Sequence, residues 1–394
     1  YGLFGRELDQ NKGEGFTLVA RVHGERAPPP WQTLPHLEKI TLDGETTGKT
    51  LVALHRRLRE IETERLTAGV VVQLGELPLG WGATEGLRAS LQRLRDRGKR
   101  VYFTLMRPST RGYYLASVGD KLLLHPGGGV GLSGLHSTVT YFGGTGELLG
   151  VKADFVRIGA YKSAPEQFTS KEGSAAAREQ RNAYLDDVFE SVLQAISRSR
   201  HVDVATVRRW IDGGPYTAAS AKRLGLIDEL ATESQLVDAI ASAHGKRVAI
   251  RPWDRGVRRQ TALVPQRVAV LAIDGDLVEG ESLTIPLLNK KLTGAKTIAK
   301  LLDEVRTTSA IRGLVVYLDT PGGSALASEL LHDKLKLVAK TKPVVCVMGD
   351  VAASGGYFIA SACEKIIASP STLTGSIGIF TGKFDLSGLA AKLG

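Results

Sequence analysis

The chain repeats itself. Residues 69–134 (GVVVQLGEL…GVGLSG) align with 313–378 (GLVVYLDTP…TGSIG) without a gap, at a constant step of 244 from Gly69 to Gly313. Of the 66 pairs, 17 are identical, among them Gly112/Gly356, Tyr113/Tyr357, Ala116/Ala360, Ser117/Ser361, Pro126/Pro370 and Gly131/Gly375. Identity at that level is several times chance, so whatever fold one copy adopts the other must adopt too. Upstream, FTLVARVHGE (16–25) is similar to VAVLAIDGDL (268–277) at a slightly different offset.

Each copy reads as strand, helix, buried strand, glycine-containing turn, helix, strand. The runs VVVQL, VYFTL, LVVYL and VVCVM are short, continuous and bounded by turns, as strands covered on both faces are. Helical patterns such as LVALHRRLREIE (51–62) and ELLHDKLKLVAK (329–340) lie between them, and a long helix is expected over 174–198. The alternation predicts a parallel or mixed α/β fold in two homologous domains. The first is expected over 1–250 and the second over 267–394, with the polar stretch RPWDRGVRRQTALVPQ (251–266) as linker. By the 244 offset, everything matching 151–245 would fall at 395–489. The second copy is therefore expected to be incomplete and the natural chain to continue past Gly394.

Composition narrows the partners. The net charge is +10, but lysine and arginine are scattered, the densest cluster being Arg255, Arg258 and Arg259. No aromatic residues interleave with a basic stripe, so nucleic acid is not an expected partner. Two cysteines are too few for a disulfide framework, and Cys346 and Cys363 both read as small core residues. No apolar run approaches the roughly 18 residues that span a bilayer. The chain opens on Tyr1 rather than methionine, which leaves a signal or anchor upstream open.

The copies differ where chemistry would sit. In GDVAASGGYFIASAC (349–363), Ser354 stands among small residues after an apolar strand; its counterpart is Thr110, and Gly355 lies opposite Arg111. A capping serine at a strand-to-helix turn is one reading of this stretch; a nucleophile with room for a substrate is the other. Pro321-Gly322-Gly323, in LVVYLDTPGGSALASEL, lies opposite Leu77-Pro78-Leu79. It reads either as an ordinary β-turn or as a source of backbone N–H donors for an oxyanion. Neighbouring parallel strands would bring the two turns together, with Gly322 and Gly355 flanking the carbonyl that Ser354 attacks and Gly323 beside the substrate.

A serine nucleophile needs a base. No histidine follows Ser354, and the last one, His332, sits mid-helix among charges and reads as solvated. A lysine whose pKa is depressed by burial is the alternative. Lys162, in RIGAYKSAPEQF, follows an apolar strand and precedes the long helix. Ser376, in TLTGSIG, is the candidate hydroxyl to orient its amine.

At DTPGGS, GDVAASGGYFIAS, SPSTLTGSIGI and RIGAYKSA the sequence resembles signal peptide peptidase A, the Ser/Lys protease family with the crotonase/ClpP-like fold. The match covers nearly the whole chain and follows the double-length branch, which implies two tandem crotonase/ClpP-like domains. The resemblance implies that Ser354 is the nucleophile, Lys162 the general base, Gly322 and Gly355 the oxyanion hole, and Ser376 the lysine-orienting hydroxyl. It further implies a tetrameric assembly and cleaved signal peptides or other apolar peptides as substrates. The setting it implies is the periplasmic side of the bacterial inner membrane, with an anchor outside this sequence. No metal or cofactor is called for. Pro165 and Gln167 depart from the family pattern and bear on the helix start rather than on the lysine.

GETTGKT (44–50) resembles a phosphate-binding loop but has three residues between its glycines where four are required, so nucleotide hydrolysis is rejected. HPGGGVGLSG (125–134) matches SPSTLTGSIG and reads as a turn. Two rivals stay in view: a crotonase-fold enzyme processing acyl-CoA without a covalent nucleophile, and a duplicated scaffold that only binds.

Overall fold

The unbroken apolar runs become the central strands of two parallel sheets. A computed structural model describes residues 3–7, 15–19, 35–44, 48–253, 267–285 and 290–394. In the first sheet the strands lie in the order Glu229–Leu230, Lys121–Leu124, Arg100–Leu105, Thr67–Leu74, His36–Leu42 and Ala249–Pro252, all parallel. The second runs Arg267–Asp274, Ile311–Thr320, Val344–Ala353 and Lys365–Ile367, again parallel, with Leu373–Gly375 also beside Val344–Ala353. Helices Gly48–Ile61, Trp81–Asp96 and Ala175–Arg200 accompany the first sheet, and Ala295–Thr307 and Ala325–Ala339 the second. The α/β class and the tandem arrangement are as expected. So is the gapless repeat: the bridge between Ser109 and Gly131 recurs 244 residues on as the pairing of Ala353 with Gly375.

Three expectations are corrected. The strand that sits beside Thr67–Leu74 as Arg267–Asp274 sits beside Ile311–Thr320 is His36–Leu42, not the FTLVARVHGE stretch. Residues 15–19 of that stretch pair instead with Leu3–Glu7 in a separate two-stranded sheet, and 20–25 lie outside the described residues. Most of the expected linker, 254–266, also lies outside them.

Coverage on both faces holds for the first sheet only. Val70, Val71 and Val72 are all buried, because helix Leu236–His244 packs Ile240 and Ala239 against Leu37, Val71 and Tyr102 on the second face. The second sheet alternates instead: Leu314, Val316 and Leu318 are buried, whereas Val268 and Val270 are more than half exposed.

The third correction concerns the cysteines, which do not stand apart. Cys346 and Cys363 form a disulfide with their Cα atoms 5.8 Å apart, within the span that such a bond bridges. It ties the strand Val344–Ala353 to the residues just after helix Gly355–Ala360, closing a loop that contains Ser354.

Two of the seams between the halves, among the described residues, flank Ser354 and Lys162. Helix Trp81–Asp96 packs against strand Val344–Ala353. The strand Lys152–Arg157 pairs antiparallel with Phe380–Asp385, from Phe380 opposite Arg157 to Asp385 opposite Lys152. Phe155 of this ribbon contacts Phe168, Phe380 and Phe384, adding apolar area to the seam.

Opening the Cys346–Cys363 loop, with its sequence separation of 17, should remove about 3 kcal/mol by the loop-entropy relation. Thermal unfolding of the doubly alanine-substituted protein should show a lower midpoint that no longer responds to reductant. Equal midpoints for both proteins would mean that the bond adds no stability.

Candidate active site

Ser354 occupies the single residue between a strand and a helix, and its backbone is forced into φ 51°, ψ −115°. A non-glycine residue rarely holds a positive φ, and such conformations persist only where the surroundings over-determine them. Here the N–H of Ser354 donates to Gly375 O at 2.9 Å and its carbonyl accepts from Phe358 N at 2.9 Å. The capping reading fails on the side chain. Ser109, Ser174 and Ser324 each accept a hydrogen bond from a backbone N–H three residues on, as caps do; Ser354 makes no such bond. Its Oγ lies 3.1 Å from Lys162 Nζ. The other contact, Gly378 O at 3.4 Å, is long for a hydrogen bond between oxygens.

Lys162 comes from the first half, in the loop after strand Lys152–Arg157. The pairing of that strand with Phe380–Asp385 brings the loop to the turn carrying Ser376. Its Nζ lies 3.0 Å from Ser376 Oγ and 2.6 Å from Ser376 O. With Ser354 Oγ that makes three oxygen partners, a number that the three donors of an ammonium or the two N–H groups and lone pair of a neutral amine can each meet. Only 6% of the residue is exposed, and no carboxylate is among these partners. Burial accordingly lowers the Lys162 pKa from its ordinary 10.5.

The loop is braced from behind. Arg157 donates to Lys162 O at 2.7 Å and pairs with Glu166 at 2.8 Å. Glu166 also accepts from Ser174 N–H at 2.9 Å. Burial pushes the Glu166 carboxyl up, but the hydrogen bonds from Ser174 and Arg157 outweigh it and hold the pKa below the usual value. Pro165 stands at the N-cap of the short helix Glu166–Thr169, so the departure from the family pattern falls on a helix start and leaves the lysine in place. Neither Arg157 nor Glu166 was singled out by the sequence reading, which had no signal for a salt bridge behind the loop.

Pro321-Gly322-Gly323 does lie against the serine turn. Gly322 has φ 99°, and a Cβ there would come within 2.7 Å of Gly355 N and 3.0 Å of Ser354 Cβ. Its N–H donates to Thr320 Oγ1 at 3.1 Å. Gly355 opens helix Gly355–Ala360, where first-turn N–H groups lack intrahelical acceptors. Gly323 is held in a β-bridge with Leu277, so strand Asp276–Val278 runs alongside the turn.

His332 is not solvated. It is buried, and its ring stacks on Phe358 at 4.5 Å between centroids, because helix Ala325–Ala339 packs on helix Gly355–Ala360. In the first copy the same turn is closed off. Thr110 Oγ1 donates to Ser133 O at 2.7 Å and accepts from Ser133 N at 2.9 Å, and Leu132, opposite Ser376, is buried. Among the described residues no group of three or more His, Cys, Asp or Glu is placed to hold a metal ion.

Known proteins bear on this arrangement. The model of peptidase family S49 matches residues 93–247 and 336–394, more than half of the chain. The chain is 29% identical over 364 residues to "Serine protease SPPA, chloroplastic" of Arabidopsis thaliana, covering 88% of this chain and 52% of that protein. It is 29% identical over 348 residues to "Protease 4" of Haemophilus influenzae, covering 82% and 55%. With "Protease 4" of Salmonella typhi it is 32% identical over 342 residues, covering 82% and 54%. The chain thus spans about half the length of these relatives. With more than half of the chain matched by the family model, in segments from both halves, the chain belongs to peptidase family S49.

Proposed function

We propose that this chain carries the active site of a serine endopeptidase working through a Ser354–Lys162 dyad. The observation that carries the reading is the 3.1 Å approach of a buried lysine amine to a hydroxyl held in a strained turn, from residues 192 apart in sequence. The names of the relatives, serine protease and protease, support it. In this mechanism the uncharged Lys162 takes the Ser354 proton as Oγ attacks the peptide carbonyl. Gly355 N–H and Gly322 N–H would meet the developing oxyanion, the latter exchanging its hydrogen bond to Thr320. Each such donor contributes about 3–4 kcal/mol to the transition state. Lys162 then passes the proton to the leaving amine and activates water to release the acyl group.

Apolar peptides, remnant signal peptides among them, are the proposed substrates. Supporting this, Ile158, Ile377 and Ile379 are exposed by 87%, 74% and 66% beside Lys162 and Ser376 in the chain. Exposed apolar side chains near the site in sequence would suit an apolar peptide, and the family resemblance extends the proposal to a homotetramer on the periplasmic face of a membrane. Among the described residues no helix is long and apolar enough to cross one, so the proposal places the anchor outside them.

A fluorophosphonate with an apolar tail should label the protein, and Ser354→Ala and Lys162→Ala should each abolish both labelling and peptide cleavage. An acyl-CoA enzyme without a nucleophile, or a scaffold, would not be labelled; full activity in Lys162→Ala would remove the assigned base. The reactive form is the uncharged amine, so the rate should rise with pH through a midpoint below 10.5, the ordinary lysine value. A flat profile from about pH 6 to 9 would contradict a lysine base.

Gly322→Ala should combine backbone strain with crowding of Gly355 N, whereas Gly378→Ala, at φ 117° with nothing within 4 Å, brings strain alone. Strain of this kind costs about 1–3 kcal/mol. Gly322→Ala should therefore lose more stability than Gly378→Ala in thermal unfolding, and nearly all labelling. Equal losses would mean that the two turns do not press together.

A further inference from the structure

Helix Trp81–Asp96 starts without a capping side chain of its own. Its N-cap is Gly80, in extended conformation, where the second copy has Ser324. Ser324 caps its own helix by accepting from Ala327 N–H at 3.2 Å. At the equivalent place in the first copy the acceptor comes from the other half of the chain. Asp350 Oδ1 accepts from Ala83 N–H, and Oδ2 from Gly80 N–H, both at 2.7 Å. The carboxylate fills the space that a side chain at position 80 would need, since a Cβ there would lie 2.3 Å from Asp350 Cγ. Met106 stands opposite Asp350 in the first copy, so the repeat itself does not call for an acid.

The same helix turn takes further contacts from the second half: Ser369 Oγ donates to Gly82 O at 3.1 Å, and Ser371 N–H to Glu85 Oε2 at 2.9 Å. Two N–H donors at the positive end of a helix suit a carboxylate better than a hydroxyl. Asp350 stands in strand Val344–Ala353, four residues before Ser354, whereas Lys162 arrives from the first half.

We propose that Asp350 is a positioning residue for the Ser354–Lys162 pair. By supplying the missing cap of helix Trp81–Asp96, it pins the strand that carries Ser354 to the half that carries Lys162. The loss of a side chain at Gly80 and the acid at Asp350 are one device, a helix cap moved across the junction. This inference rests on the dyad reading of the preceding section.

The test compares Asp350→Ala, Asp350→Asn and the double variant Gly80→Ser/Asp350→Ala, reading fluorophosphonate labelling rate, its pH midpoint and the thermal midpoint. Asp350→Ala should slow labelling at least about tenfold, as small misplacements of reacting groups do. It should also move the pH midpoint upward, because a less enclosed amine returns toward its ordinary pKa. Asp350→Asn keeps one acceptor oxygen for the helix but turns an amide NH2 toward the second N–H, so it should fold and label at a rate between those of the unmodified protein and Asp350→Ala.

The double variant restores an ordinary serine cap. It should recover the thermal midpoint but neither the labelling rate nor the pH midpoint. Recovery of all three would overturn the proposal, since capping alone would then suffice. So would Asp350→Ala labelling at the unmodified rate and midpoint, or Asp350→Asn labelling as slowly as Asp350→Ala while keeping its thermal midpoint. If the unmodified protein is not labelled at Ser354, the dyad reading falls and takes this inference with it, a result distinct from labelling that is indifferent to position 350.

Discussion

An amine can sit uncharged beside a hydroxyl only where water and carboxylates are kept away from it. Lys162 meets that condition through its surroundings: it is buried, its three partners are two serine oxygens and a carbonyl, and its brace, Arg157, touches its backbone rather than its amine. The acid of the brace, Glu166, is engaged by Arg157 and Ser174. An unneutralised carboxylate close to the amine would favour the ammonium and remove the lone pair. In the proposed mechanism the fold around the site serves to hold this nitrogen where burial lowers its pKa.

That requirement explains why the halves are joined as they are. The ribbon of Lys152–Arg157 with Phe380–Asp385 fixes Lys162 against the turn of Ser376, and its aromatic contacts add apolar area to a two-stranded pairing that would be weak alone. The seam at Trp81–Asp96 carries the opposite load, holding the strand Val344–Ala353 that leads into Ser354. Duplication supplies two similar sheets, and divergence gives each copy part of the site. The first copy ties its Thr110 hydroxyl into the backbone, while the second leaves the Ser354 hydroxyl out of the cap and free to meet the lysine.

Much of this could be read from the sequence because it is local or repeated. Apolar runs of fixed length report strands, and a gapless offset reports a second copy of the fold. Ser354 and Lys162 stood out because each sits in a short stretch with recognisable neighbours. The features that escaped join residues far apart with no pattern to announce them. Asp350 and Gly80 are separated by 270 positions, and a glycine before a helix does not say where its cap comes from. The disulfide was hidden because Cys346 also reads as a good core residue in its strand. His332 was misread because the charges beside it in sequence point elsewhere, while its ring packs on Phe358 with the buried face of its helix. The first strand of the first sheet was misplaced because HLEKITL alternates, whereas FTLVARV offers the stronger apolar run.

The strained turn at Ser354 also has to be held against its tendency to relax. A positive φ at a non-glycine residue costs about 1–3 kcal/mol, and burying the lysine amine adds a desolvation cost. Neither is offset within the turn itself, where Gly355 and Gly356 bring little side-chain packing. The compensation lies on either side: the Cys346–Cys363 bond closes the loop, strand Leu373–Gly375 pairs alongside, and the cap at Gly80 fastens the strand to the opposite half. Each of these contacts reaches the proposed pair through backbone rather than by touching the Ser354 hydroxyl or the Lys162 amine. A change at any of them should therefore alter how often Lys162 and Ser354 are aligned before it alters whether the chain folds. Stability and reactivity should separate most clearly at the junction between the copies, where the contacts are polar and directional, and least in the apolar cores that each copy buries for itself.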